Sequence, residues 1–300
     1  VNVYIENYLE HLPKITRLLD TFEAPFYFSN PLFIVSLLGA RSGASVQDMG
    51  GALLLDAAGE WCSLLPISDD REAFLNALRR LLMEGRPVMR VPRWAAESLL
   101  QSSTVGGWSN FVGYTPDLRD LPGRKYKRIR RILRQVERSG RTEVVQLTSD
   151  DAQEAARVAD TWYIKRAPFL EKLYLRKENI WLFENIGWVL EHVPGSWGMG
   201  VKVDGRLEAV NLSCALSENM WCCHTERYSP GILSGINYLV FHAACSHKGA
   251  DSFDWMNDGA AGVPLTPGGN NLATHKARIA TRMLVPYEAW PVVSSPLPAR

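Results

Sequence analysis

The chain has 300 residues, 46% hydrophobic and 22% charged, with 33 basic side chains against 32 acidic ones and a net charge of +1. That composition predicts a soluble globular protein of one large domain or two ordinary ones. It excludes a nucleic-acid binder coated in charge, and no apolar run has the length of a membrane span or the layout of a signal peptide, so a cytoplasmic protein is expected.

The first half opens with a predicted helix over 5–20. A hairpin follows across ALLLDAAGEWCSLLPI (52–67), with Ala57-Ala58-Gly59 at its turn. Next come a helix over 70–84, a strand at VMRVP (88–92) and a strand at SNFVGY (109–114).

The stretch from Arg124 to Arg141 holds nine Arg or Lys and one acid, Glu137, a local charge of +8 that leaves about −7 for the rest of the chain. Tyr126, Ile129, Leu133 and Val136 recur there at helical spacing, between Pro122-Gly123 and Gly140. The pattern predicts a helix with one face in a core and the other presenting cations. Solvated charged faces usually mix signs, and this one does not, which points to an external polyanion. Arg128, Arg131, Arg134 and Arg138, with Arg124, Lys125 and Lys127, are the candidate phosphate contacts.

The second half alternates regularly. TEVVQL (142–147) predicts a strand, and 149–167 a helix with Ser149 as N-cap. A single helix is expected over 177–192, with Ile180, Phe183, Ile186 or Gly187, and Leu190 on its apolar stripe. Strands at 197–203 and 206–216 are joined by Asp204-Gly205, a hairpin signal, and NMWCCHTER (219–227) is a third. An apolar helix over 234–248, a strand at 252–256, a short helix near 270–277 and a strand over 278–287 complete the order, with a frayed tail at 292–300. Five cysteines, Cys62, Cys214, Cys222, Cys223 and Cys245, form no CxxC pair and read as buried reduced thiols. His224 beside two of them makes no catalytic pair, since neighbours on a strand face opposite ways. His242 and His247 lie on an apolar helix and read as structural.

The order β-α-α-β-β-β-α-β-α-β in the second half, with a looser version in the first, resembles two tandem GNAT acyltransferase folds, an α/β (α+β) architecture of mostly antiparallel sheets flanked by helices. The chain is similar to the tandem-GNAT family that includes the catalytic domain of phosphatidylglycerol lysyltransferases (the DUF2156 group) and, more distantly, the Fem peptidyltransferases. LPGRKYKRIRRILRQVERSG and FDWMNDGAAGVPLTPGGNNLATHKARIATRMLVPY carry the resemblance, which spans roughly residues 30 to 290. It implies domains at 1–141, ending in the basic helix, and 142–300, the catalytic one.

The resemblance also implies an acyl donor. Conventional members cradle acyl-CoA on a Gly-x-Gly loop after the fourth strand. Here Glu226 to Gly235 has no such pair, and Pro230 removes a donor. The relatives named above use aminoacyl-tRNA, so the basic helix would hold tRNA phosphates, with Arg227 and Arg278 as further contacts. No metal or other cofactor is implied. Lys276 matches the family's lysine and would neutralise a phosphate or the developing oxyanion, unless it is a surface lysine at a helix end. Asp258, beside Asn257 in the family's Asn/Asp-Gly segment, would hold an ammonium, unless it is a plain turn residue. Either His224 or Glu226, two apart and so expected on one face, would be the general base. No membrane-spanning part accompanies the catalytic one, so a small-molecule acceptor in natural-product, antibiotic-type biosynthesis is expected. An acyl-CoA or carrier-protein acyltransferase and a non-catalytic RNA-binding module are the alternatives.

Overall fold

The computed structural model describes residues 2–99, 103–106, 110–166, 175–260 and 276–290. Helix α1 (Val3–Thr21) is capped by the Asn2 side chain and buries Ile5, Tyr8, Leu12, Ile15, Leu18 and Leu19. Helix α2 (Pro31–Ala40) starts on an Asn30 cap with proline in its first turn and is buried from Pro31 to Leu38. It is apolar all round, so it has no amphipathic period to read. Strands β1 (Ala44–Asp48), β2 (Ala52–Ala57) and β3 (Cys62–Pro66) form a meander, with Ala58 and Gly59 both at positive φ in the second turn. Helix α3 (Arg71–Met83), β4 (Val88–Val91), α4 (Arg93–Glu97), β5 (Ser103–Gly106), β6 (Asn110–Tyr114) and α5 (Thr115–Asp120) follow.

The basic segment forms α6 (Lys127–Arg138). Tyr126, Ile129, Leu133 and Val136 are all buried, each worth about 1.5–3 kcal/mol of transfer free energy for the aliphatic side chains. After it come β7 (Thr142–Gln146), α7 (Ala152–Arg166), α8 (Arg176–Glu184) and α9 (Ile186–His192). Then β8 (Ser196–Val203), β9 (Arg206–Ala215), β10 (Met220–Tyr228), α10 (Ile236–Cys245), β11 (Trp255–Ala260), β12 (Arg282–Leu284) and β13 (Tyr287–Trp290) complete the chain.

Two sheets result, ordered β1-β2-β3-β4-β13-β5 and β12-β6-β11-β10-β9-β8-β7. The expected pair of GNAT-like sheets with flanking helices is the fold that forms. The sheets exchange strands: β6, from the first half, lies between β12 and β11, and β13, from the chain's end, lies between β4 and β5. A division at residue 141 therefore does not separate them. One apolar core joins the first half to one face of the second sheet, and another fills the space between its opposite face, α6 and α10.

Several local expectations are corrected. The helix over 177–192 is two helices, because Asn185 leaves helical φ and its side chain donates to the Trp181 carbonyl at 2.8 Å. The turn leading into α7 is capped by Thr148, which exchanges hydrogen bonds with Asp151, rather than by Ser149. The strand expected at 252–256 begins at Trp255 and runs on to Ala260, so Asn257 and Asp258 sit within it. The final strand over 278–287 is broken ahead of Tyr287, where Pro286 offers no N–H, and its pieces join different sheets. Residues 276–279 are helical, so the helix runs on past Lys276 instead of ending there. The rest of the helix expected near 270–277, and the tail at 292–300, lie outside the described residues.

Candidate active site

The second sheet opens at β10. This strand pairs with β11 only through Met220–Trp255, Trp221–Met256 and Cys222–Asn257. Beyond that, β10 follows β9 as far as Tyr228 while β11 follows β6. The wedge between them leaves backbone groups without ladder partners.

A bulge controls what faces the wedge. Cys223 pairs with Ser213 but Thr225 with Leu212, so His224 is an extra residue on β10. Asn211, opposite Glu226, donates to Cys223 Sγ at 3.1 Å, so Cys223 and Glu226 share a face. His224 instead stacks on Tyr27, with ring centroids 5.5 Å apart, and lies beside Phe33. The expectation that His224 and Glu226 share a face is overturned: the bulge reverses the alternation between them. His224 is 4% exposed, and neither ring nitrogen has a hydrogen-bond partner. Burial, with the nearby Arg227 charge, lowers its pKa to about 3, so it is a neutral packed ring and a poor base at neutral pH.

Glu226 looks toward α10 and the wedge. Burial, then the charge of Asp258, raises its carboxyl to about 8, against the opposing effects of Arg227, Lys276 and a hydrogen bond from Asn237. Lys276, 9% exposed, reaches back to Asp258: its ammonium donates to the Asp258 carbonyl and lies 3.5 Å from Oδ2. It is thus no surface lysine, and Asp258 is no simple turn residue. Asn257 points to the other side, where its amide donates to the Pro25 carbonyl at 2.9 Å and to Asn110 Oδ1 at 3.2 Å and accepts from the Gly259 N–H at 2.8 Å. It locks β11 to the first half.

Arg227 also lies on the opposite face from Glu226. Its guanidinium sits 4.4 Å from the Trp162 ring and 5.0 Å from the Tyr163 ring and donates to the Tyr163 hydroxyl at 2.9 Å. Tyr27, Trp162 and Tyr163 escaped the sequence reading. Tyr27 is almost two hundred residues from His224 in the chain, and Trp162-Tyr163 looked like helix filler.

On α6 and the turn before it, the expected cations Arg124, Lys125, Lys127, Arg128, Arg131, Arg134 and Arg138 are all exposed, as is Arg278. Among the described residues, no carboxylate forms an ion pair with this strip; the neighbouring ion pairs belong to Arg119 and Arg141. Lys125 donates to the Ala280 carbonyl at 3.0 Å, which ties the strip to the turn carrying Lys276. The start of α10 is pressed against the same helix: a Cβ on Gly235 would lie 2.4 Å from Ile132 Cγ2. His242 bonds the Arg119 carbonyl and His247 stacks on Trp197, both structural contacts. All five cysteines are unpaired and buried, and burial raises the thiols, Cys62 to about 11 and Cys214 to about 12. Among the described residues no cluster of His, Cys, Asp or Glu suits a metal ion, and no helix is long and apolar enough to cross a membrane.

A family model described as phosphatidylglycerol lysyltransferase, C-terminal, matches residues 44–291. The chain superposes on a conserved protein of unknown function from Bacteroides thetaiotaomicron with a TM-score of 0.76 at 16% identity, covering 94% of this chain and 97% of that one. The C-terminal domain of a putative lysylphosphatidylglycerol synthetase from Agrobacterium fabrum gives 0.65 at 13% identity, with 95% and 93% covered. L-PGS from Bacillus licheniformis gives 0.61 at 15% identity, with 93% and 91% covered. At these identities the likeness is one of fold. No curated protein matches the chain.

Proposed function

The chain belongs to the phosphatidylglycerol lysyltransferase C-terminal family, and on that premise we propose that it moves an aminoacyl group from aminoacyl-tRNA to the amine or hydroxyl of a small-molecule acceptor. The observation that carries the reading is the meeting of Glu226, Asp258 and Lys276 in the wedge beside a strip of exposed cations without acidic partners. The acceptor nitrogen or oxygen attacks the ester carbonyl and gives its proton to Glu226. The Lys276 ammonium stabilises the oxyanion that forms. The ester C–O bond then breaks, and the proton held by Glu226 passes to the leaving ribose hydroxyl. Asp258 orients Lys276 and favours a cationic amine nearby. Asn257 is a positioning residue that fixes the strand carrying Asp258.

The phosphates of the tRNA acceptor end lie along Arg124, Lys125, Lys127, Arg128, Arg131, Arg134 and Arg138, with Arg278 next to the wedge. The reading places the protein in the cytoplasm, where charged tRNA is available, and in natural-product assembly. Use of acyl-CoA is disfavoured by Pro230 and by the packing of α6 against the start of α10, where a pyrophosphate would need free backbone donors.

The test is transfer from tRNA charged with each labelled amino acid to a panel of amines and alcohols. The expected result is a product that RNase pretreatment abolishes and acetyl-CoA does not replace. Transfer from acyl-CoA that survives RNase would overturn the reading.

A further inference from the structure

Lys125 stands where the basic strip meets the reacting lysine. Its ammonium lies 5.0 Å from the centroid of the Tyr126 ring, which is 1% exposed and so a fixed footing. The backbone just ahead is pinned as well, since the Arg130 guanidinium donates to the Leu121 carbonyl. From there the Lys125 ammonium donates to the Ala280 carbonyl at 3.0 Å, and the Ala280 N–H donates to the Lys276 carbonyl at 2.9 Å. Two hydrogen bonds in series thus join Lys125 to the residue whose own ammonium rests on Asp258. Residues 276–279 are helical, so the Ala280 carbonyl lies just past the last helical residue, where no intrahelical N–H reaches it and a cation is favoured. The sheet side of the segment is fixed separately. Ile279 is 2% exposed, a Cβ on Gly113 would lie 3.1 Å from the Ile279 carbonyl, and the Thr281 N–H donates to the Val112 carbonyl at 2.7 Å. On the outward side, the bond from Lys125 holds it.

We propose that Lys125 is a positioning residue for Lys276, holding its segment in place through Ala280, and that a donor phosphate seated on the same ammonium tightens that hold. An ammonium has three hydrogens, and Ala280 takes one, so the exposed Lys125 can meet a phosphate without releasing the carbonyl. An exposed lysine stem is otherwise free to turn, and an anion on the ammonium restricts it to the geometry in which the Ala280 bond is made. By reciprocity, a well-ordered segment holds the phosphate more tightly. Arg128 is equally exposed in the strip and makes no hydrogen bond to residues 276–280 among the described residues, which makes it the comparison. The coupling to phosphate rests on the aminoacyl-tRNA reading; the hold on Lys276 rests on the two hydrogen bonds alone.

The test reads hydrogen exchange at the Ala280 amide in the whole chain, with and without unfractionated deacylated tRNA, in the parent and in Lys125→Met, Lys125→Arg and Arg128→Met. Without tRNA, Lys125→Met should speed that exchange at least about fivefold, Lys125→Arg should restore most of the protection, and Arg128→Met should match the parent. Circular dichroism and melting are the controls for folding, since Lys125 is exposed. With tRNA, the parent should exchange at least about fivefold more slowly still, whereas Lys125→Met, holding tRNA through the rest of the strip, should gain no protection. In transfer, Lys125→Met should lower kcat at saturating aminoacyl-tRNA at least about tenfold, while Arg128→Met should raise KM and keep kcat. Unchanged exchange in Lys125→Met, or an effect on transfer confined to KM, would overturn the positioning role and leave Lys125 one more phosphate contact. Bound tRNA that leaves the parent's Ala280 exchange unaltered would overturn the coupling. A parent that binds no tRNA would fell the donor reading and the coupling together, while the comparison without tRNA still decides whether Lys125 holds Lys276 in place.

Discussion

The Tyr27 ring stacks on His224, at 5.5 Å and 21° between planes, and its hydroxyl donates to the His224 carbonyl. One residue from the first half thus seals the bulge of the second sheet. The sealed ring is held neutral in the fold, with its pKa lowered from 6.5 to about 3, chiefly by burial.

Acid sensitivity follows. As pH falls below 6.5 the unfolded chain takes up a proton at His224 that the fold refuses, so stability is lost between pH 6.5 and about 3. The loss from this one group is about 1.4 kcal/mol by pH 5.5. Urea unfolding of His224→Phe at pH 7.5 and 5.5 should show that much less acid destabilisation than the parent chain. Equal losses in both would mean that the ring is solvated or paired.

Glu226 carries the opposite sign. Its carboxyl is raised from 4.5 to about 8 by burial and then by Asp258, so the basic form appears as pH rises through about 8. Transfer limited by chemistry should climb with pH to a plateau above that value. Glu226→Gln should lose at least about a hundredfold in rate, together with the rising limb. The same shift makes the fold less stable between pH 4.5 and 8, where the unfolded carboxyl ionises first, and the glutamine variant should lack that decline. A variant with the parent's pH–rate profile would remove Glu226 from proton transfer.

Lys276 and Asp258 are coupled as well as chemically useful. Replacing either with alanine should slow transfer at least about tenfold, or 1.4 kcal/mol of transition-state stabilisation. Both are buried, so each single variant should also melt lower. Removing one partner breaks a largely buried ion pair and costs on the order of 3 kcal/mol. Lys276→Met combined with Asp258→Asn should recover part of that stability and none of the rate. Additive stability losses would show that the two do not act as a pair.

The sequence was most legible where burial is one-sided. The stripe through Tyr126, Ile129, Leu133 and Val136 and the hairpins at Ala58-Gly59 and Asp204-Gly205 follow from local period and turn chemistry. Helix α2 was illegible because every side of it is buried, which erases the period. The exchange of β6 and β13 is set by pairings between distant residues, such as Tyr287 with Gly106, that no local pattern encodes. At the site, Lys276 and Asp258 were singled out through motif order, and the structure brings the two together. The faces of His224 and Arg227 were not, since a single inserted residue at the bulge reverses the alternation on which such arguments rest.

The strip on α6 gives the most discriminating test of the donor. Arg131, Arg134 and Arg138 are exposed on one helix face and carry no acidic partner among the described residues. If they hold phosphates, each contact releases counterions, and the logarithm of affinity falls with the logarithm of salt by about 0.7 to 0.9 per contact. Arg131→Glu with Arg134→Glu should weaken binding of aminoacyl-tRNA and flatten that slope by at least about 1.4, the sum for two lost contacts. Stability should move by no more than about 0.5 kcal/mol, since neither side chain is buried. Apolar packing of α6 through Ile129, Leu133 and Val136 is untouched by the change, so helix content by circular dichroism is the control. A solvated face with no polyanion partner predicts an unchanged affinity and slope. That outcome would leave the wedge chemistry without its proposed donor and return acyl-CoA or a carrier-protein thioester to first place.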